Sequence, residues 1–230
     1  MRLPVLFASV GIAALVALSV SAQSPARVRV QAAPPEQPAP NCPDDRIEPA
    51  FRNLDFSLGN PGERPPGWNP FEAACYLPPN DSMAVEIVSG HECYSGQHCA
   101  VIKFVPNIGE GDEVIRYIRA RRATRLWFLH QVVDVTPYRG KTLTFRAAVR
   151  AAVSVGGEAR LLVRVHRDDS STSFFDDMGK FPVRSSAWHI YEIQAPIDRE
   201  AGDVEFGMQL IGQGEAWIDH ISMDFTGPEK

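Results

Sequence analysis

The stretch KTLTFRAAVRA, Lys141 to Ala151, decides the fold class of this chain. Leu143, Phe145, Ala147 and Val149 alternate with Thr142, Thr144, Arg146 and Arg150. A period of two sends one row of side chains into a core and the other into water, which is the pattern of a half-buried strand. EARLLVRVHR, Glu158 to Arg167, repeats it with Leu161, Val163 and Val165 inward and Arg160, Arg164 and His166 outward. DVEFGMQL, Asp203 to Leu210, does so through Val204, Phe206, Met208 and Leu210. RLWFLHQVVDV and AVIKFV are further strand candidates. Turn signals separate these runs: Pro137-Tyr138-Arg139-Gly140, Gly156-Gly157 and Gly212-Gln213-Gly214. Helical periodicity is nearly absent, so the expected class is all-β, an antiparallel β-sandwich. In AWIDHISMDF, Ala216 to Phe225, the same period puts Trp217, Ile221, Met223 and Phe225 on one face and Asp219 in their row. A carboxylate in such a row needs a partner, because burying it alone is costly.

The domain occupies only part of the 230 residues. Met1-Arg2, the apolar run Leu3 to Val20 and the small residues Val20-Ser21-Ala22 read as a signal peptide over residues 1–22. The rival is a retained membrane anchor, which needs about 20 apolar residues. Residues 23–45 are rich in Pro, Ala and Gln and have too little apolar surface to order themselves, so they are expected to form a flexible linker. The sandwich is placed at 46–226 and a short tail at 227–230. No later stretch is apolar enough to span a bilayer, so no membrane span is expected after signal removal.

A net charge of −5 argues against a nucleic-acid protein. The local basic run Arg116, Arg119, Arg121, Arg122 and Arg125 reads as a solvated loop or an anion-binding patch. Four cysteines in an exported chain point to two disulfides with three possible connectivities. Cys93 with Cys99 is favoured, because Gly96 lets the chain reverse between them, and this leaves Cys42 and Cys75. Zinc is the rival reading, but the spacings resemble no common zinc knuckle. Catalytic motifs are missing: there is no Gly-x-Ser-x-Gly elbow, no His-Glu-x-x-His and no Gly-rich phosphate loop. Asp168-Asp169 and Asp176-Asp177 are acidic pairs of the kind a glycosidase uses, but both belong to one loop region, which reads as a rim. A non-enzyme is expected.

The order NLDFSLGN, PPGW, SGQHCAVI, QVVDVTPYRGKTLTFRAAVR, FFDDM, WHIYEIQAPI and FGMQLIGQGEAWIDHISMDF, from Asn53 to Phe225, resembles the galactose-binding-like β-jelly-roll domains of secreted bacterial proteins. Their relatives include many carbohydrate-binding modules. The resemblance implies a jelly roll whose first and last strands lie side by side. It also implies one structural calcium held by Asp219 with Asn53 and Asp55, calcium being satisfied by six to eight oxygens in flexible geometry. The alternative is that Asp219 accepts hydrogen bonds from main-chain amides or from His91 at the edge of the core.

Sugar recognition needs an aromatic plane and planar polar groups on one surface. Gln131, Arg146, Arg164 and His166 are read as outward groups of neighbouring strands lining one face, with Arg150 beside Arg146, Trp127 as the stacking ring, and Asp176 and Asp177 at the rim. Trp68, Trp188 and Trp217 read as core residues at strand ends. The expected function is a secreted or periplasmic, non-catalytic module that binds carbohydrate or another polar polymer on its concave sheet. The alternative is an envelope accessory or protein-interaction domain with no glycan. The glycan scheme requires Gln131, Arg146 and Arg164 to share one side of the molecule.

Overall fold

A computed structural model of the chain describes residues 46–69, 82–105 and 128–227. By its contacts the chain forms two units, Met1–Pro38 and Ala39–Lys230, and every described residue belongs to the second. The signal peptide at 1–22, the linker at 23–45, Trp127, Cys42, Cys75 and the basic run at 116–125 lie outside the described residues.

Ten strands are described: β1 Ile47–Glu48, β2 Ser82–Ser89, β3 His98–Val105, β4 Phe128–Asp134, β5 Thr142–Val153, β6 Glu158–Arg167, β7 Thr172–Asp176, β8 His189–Pro196, β9 Ala201–Ile211 and β10 Gly214–Thr226. They form two five-stranded sheets, ordered β1-β4-β9-β6-β7 and β2-β3-β10-β5-β8. Every pairing is antiparallel except the two-residue match of β1 with β4. The all-β sandwich expected from alternation is therefore the fold observed.

The core lies between the sheets and is built from the rows that the sequence marked. Leu143, Phe145, Ala147 and Val149 of β5 face Leu161, Val163 and Val165 of β6 and Val204, Phe206, Met208 and Leu210 of β9, all buried. Fully burying such a side chain is worth roughly 1.5–3 kcal/mol, so these rows supply the main favourable contribution to packing the sheets together. Phe206 is the hub. Its ring meets Phe145 across the sandwich at 5.5 Å, Trp68 at 5.5 Å and Phe51 at 5.4 Å. Trp68 is thus a core residue, as read from the sequence, and its indole donates to the Asn53 carbonyl at 3.0 Å.

β4 corrects one expectation. Gln131 pairs with Phe206 across the ladder, between the Leu129–Met208 and Val133–Val204 pairs, so it points into the sandwich rather than out of it. Its side chain is fully buried, accepts from the Arg52 amide at 3.1 Å and donates to the Arg52 carbonyl at 2.5 Å. Six successive residues of β4, from Phe128 to Val133, are buried. With both faces covered, polarity no longer tells which way a side chain points.

Candidate functional site

The outer face of the second sheet is built by β5, β8 and β10, and its position depends on one irregularity. The pairing of β10 with β5 shifts register between Asp219 and Ser222, where His220 adopts φ +51°. Such a bulge inserts one residue and exchanges the inward and outward rows. Ala216 and Ile218 face the core before it, and Ile221, Met223 and Phe225 face the core after it. Trp217 and Asp219 consequently lie on the outside of the sheet. They were expected in one row with Ile221, Met223 and Phe225, and the bulge overturns that.

Cys93 and Cys99 form a disulfide with Cα atoms 5.4 Å apart, closing a hairpin whose Gly96 sits at φ +74°. Cys93, Cys99, Val101 and Trp217 make a second small cluster, with Val88 and Trp188 against it. Asp219 is buried beside this hairpin, where Oδ2 accepts the Ser95 amide at 2.8 Å and Oδ1 accepts the His220 amide at 2.6 Å. These amides satisfy the carboxylate without a counter-ion.

Around the cluster, aromatic rings and planar polar groups share one surface. The Arg150 guanidinium carbon lies 3.9 Å from the centre of the Trp217 ring and 5.3 Å from that of Trp188, and its Nη2 donates to the Glu92 carbonyl at 3.1 Å. Tyr94, 45% exposed, meets Trp188 at 6.0 Å and the His220 ring at 5.7 Å. Four residues back along β5, Arg146 pairs with Glu192 at 2.6 Å and Asp224 at 3.0 Å. A hydrogen bond from Gln194, and then Arg146 itself, holds the Glu192 carboxyl below the usual range. The face therefore offers stacking planes beside a guanidinium–carboxylate array, which is the amphipathic combination a sugar requires.

The residues predicted as one binding face are divided. Arg146 belongs to the second sheet, whereas Arg164 and His166 lie on the outer face of the first, and Gln131 points into the core. The shared-face expectation is corrected: the β5-to-β6 turn carries the chain from one sheet to the other, so outward on each means opposite sides of the sandwich. Arg164 and His166 also sit within ionic rows. Arg164 pairs with buried Glu205 at 3.1 Å and lies over Phe175 at 4.8 Å, Glu205 is 3.8 Å from buried His130, and His166 meets Asp203 at 2.8 Å. Asp176 Oδ1 accepts the Met178 amide, and Asp177 accepts from the Gly179 amide and Arg160. Both line an open groove of about 670 Å³ along the β7 and β8 edges, together with Phe175, Phe181 and Ile190, which are 51%, 76% and 54% exposed.

The proposed calcium ligands are also divided among local bonds. Asn53 Oδ1 accepts the Leu58 amide, and its Nδ2 donates to the Leu58 and Pro66 carbonyls. Asp55 Oδ1 accepts from the Ser57 amide and hydroxyl, and these bonds hold its carboxyl below the ordinary value. Asn53, Asp55 and Asp219 thus each hold local donors, and Asp55 and Asn53 bond within their own loop rather than to Asp219. Cys93, Cys99 and Asp219 form the metal-type grouping found among the described residues, but the disulfide removes both thiolates. Sequence reasoning missed Tyr94, Glu192 and Asp224, and it placed Trp188 in the core. The signal available was that Ala216 and Ile218 are apolar on the opposite parity from Ile221, Met223 and Phe225.

No protein-family model matches the chain. Among curated proteins, the uncharacterized HTH-type transcriptional regulator YbfP of Bacillus subtilis (strain 168) is 29% identical over 85 residues, 36% of this chain and 28% of that protein. The chain thus spans well under half of that relative. Among solved structures, the enzymatically active domain of bacteriophage CBA120 tailspike protein 4 aligns at TM-score 0.50 and 10% identity, over 76% of this chain and 21% of that one. The fold is a β-jelly-roll sandwich. The CBM22-1 xylan-binding domain of Paenibacillus barcinonensis Xyn10C aligns at TM-score 0.47 and 9% identity, over 76% of this chain and 94% of that one. The C-terminal family 22 carbohydrate-binding module of Clostridium thermocellum Xyn10B aligns at 0.47 and 13%, over 80% and 99%.

Proposed function

We propose that this protein is an exported, non-catalytic β-sandwich module that binds a glycan on the outer face of its second sheet. The observation that carries the reading is the placement of half-buried Trp188 and exposed Tyr94 beside Arg150, Arg146, Glu192 and Asp224 on one surface. The rings supply a plane for the apolar side of a pyranose, and the array supplies donors and acceptors already fixed for its hydroxyls. A disulfide and the apolar N-terminal stretch support export. The non-catalytic reading rests on the acidic pairs: Asp168 is paired to Arg139 at 2.7 Å, Asp169 caps Ser171, and Asp176 and Asp177 are spent on local amides and Arg160.

A glycan array probed with the mature protein tests the reading, with Trp188→Ala as the paired variant. Binding that is lost in the variant while its circular dichroism is kept supports the assignment; an array with no hit overturns it. The exposed Phe175, Phe181 and Ile190 along the β7–β8 groove favour a second reading, an envelope accessory domain that docks a protein there. Under that reading Phe181→Asp, and not Trp188→Ala, releases the protein from the envelope fraction.

A further inference from the structure

We propose that the glycan held on this face is acidic and that Arg150 receives a sugar carboxylate. The inference rests on the glycan reading above and names the substrate class of that same site. Arg146 and Arg150 stand four residues apart on the outward row of β5, with Ala148 between them, yet their surroundings differ. Arg146 is balanced by Glu192 and Asp224. Arg150 makes no ion pair among the described residues, and its one described hydrogen bond goes to the neutral Glu92 carbonyl. Asp219 on the same face is occupied by the Ser95 and His220 amides instead. A half-buried guanidinium with no counter-charge is costly to maintain, and an anionic ligand removes that cost.

Two further features point the same way. Trp217 Nε1 and Arg150 Nε are buried polar atoms without a hydrogen-bond partner among the described residues. Both are closed off from solvent by the packed rings, which leaves the Nη end of the guanidinium as the part that can meet a ligand's acceptor. The two indoles beside Arg150 and the bond to Glu92 fix its rotamer before any ligand arrives, and a pre-set planar fork matches a carboxylate in bidentate geometry. Trp188 and Tyr94 are then placed to stack the ring that carries the carboxylate. The chain's own charge of −5 supplies no general attraction for an acidic polymer, so recognition is local to this guanidinium.

The test is a glycan array holding uronate-containing and neutral oligosaccharides. Each hit is then titrated calorimetrically against the wild type, Arg150→Lys and Arg150→Gln, and repeated with the hit's carboxyl groups reduced to alcohols. Uronate hits that weaken roughly 10- to 100-fold on carboxyl reduction, and by a similar factor in Arg150→Gln, are expected for a charge-assisted bidentate contact. Arg150→Lys should recover only part of the loss, since it keeps the charge without the fork. Carboxyl reduction needs no protein variant, so it remains decisive if the Arg150 variants are unstable. Hits confined to neutral glycans, or uronate hits indifferent to reduction, overturn the acidic-ligand inference and leave the glycan reading standing. A blank array overturns both.

Discussion

Replacing Gln131 with Leu should destabilise the domain and leave glycan binding untouched. The amide is fully buried in the core-facing row of β4 and makes two hydrogen bonds, one accepted from the Arg52 amide and one donated to the Arg52 carbonyl. Leu fills the space against Phe206 but satisfies neither backbone group. A hydrogen-bond partner left unsatisfied costs about 1–3 kcal/mol when buried. Arg52 is itself exposed, so water recovers part of this. The net expectation is a loss of about 2–3 kcal/mol. For a domain of this size each kcal/mol moves Tm by roughly 2–4 °C, giving a fall of about 4–12 °C. Gln131→Glu should be at least as damaging, because it puts a carboxylate against the Arg52 carbonyl. Thermal unfolding followed by circular dichroism reads the stability, and calorimetric titration of an array hit reads the binding. Unchanged Tm with weakened binding would refute the reasoning and return Gln131 to the contact surface.

Three further outcomes follow from the geometry. Cys93→Ser with Cys99→Ser opens a closed loop of seven residues and should cost about 2 kcal/mol by loop entropy; because the hairpin carries Tyr94, ligand affinity should fall with it, as denaturant titration and calorimetry will show. Added calcium should leave Tm unmoved and chelator should not lower it, since Asp219, Asn53 and Asp55 are each occupied by local donors; a calcium-dependent rise of several degrees restores the shared site. The Thr136 amide holds the Asp134 carboxyl below its ordinary value, and the Ser57 amide does the same for Asp55. Groups with lowered folded-state pKa contribute fully above the unfolded pKa of about 4 and lose that contribution as pH falls through the folded value. Urea midpoints should therefore decline below about pH 4, and less steeply in Asp134→Asn; parallel declines would remove Asp134 from the explanation.

Alternation determined the fold class and most of the core from the sequence alone. Leu143 to Val149, Leu161 to Val165 and Val204 to Leu210 lie where period two put them, because polar residues or glycine hold most of the alternate positions even along β9, where both rows are buried. The Cys93–Cys99 pairing was legible too, since six residues of separation and Gly96 leave little choice of geometry. Which side of the molecule each outward row occupies was decided only by tertiary structure. Arg146 and Arg164 are both outward, yet on different sheets, and sheet membership is a matter of long-range pairing that no local window contains. Gln131 lost its signal because β4 is covered on both faces. Trp217 and Asp219 moved to the outside because one inserted residue, His220 in a left-handed turn of the backbone, reversed the parity of everything beyond it. A side chain's direction in a strand is a running count of residues, and a single bulge shifts the count.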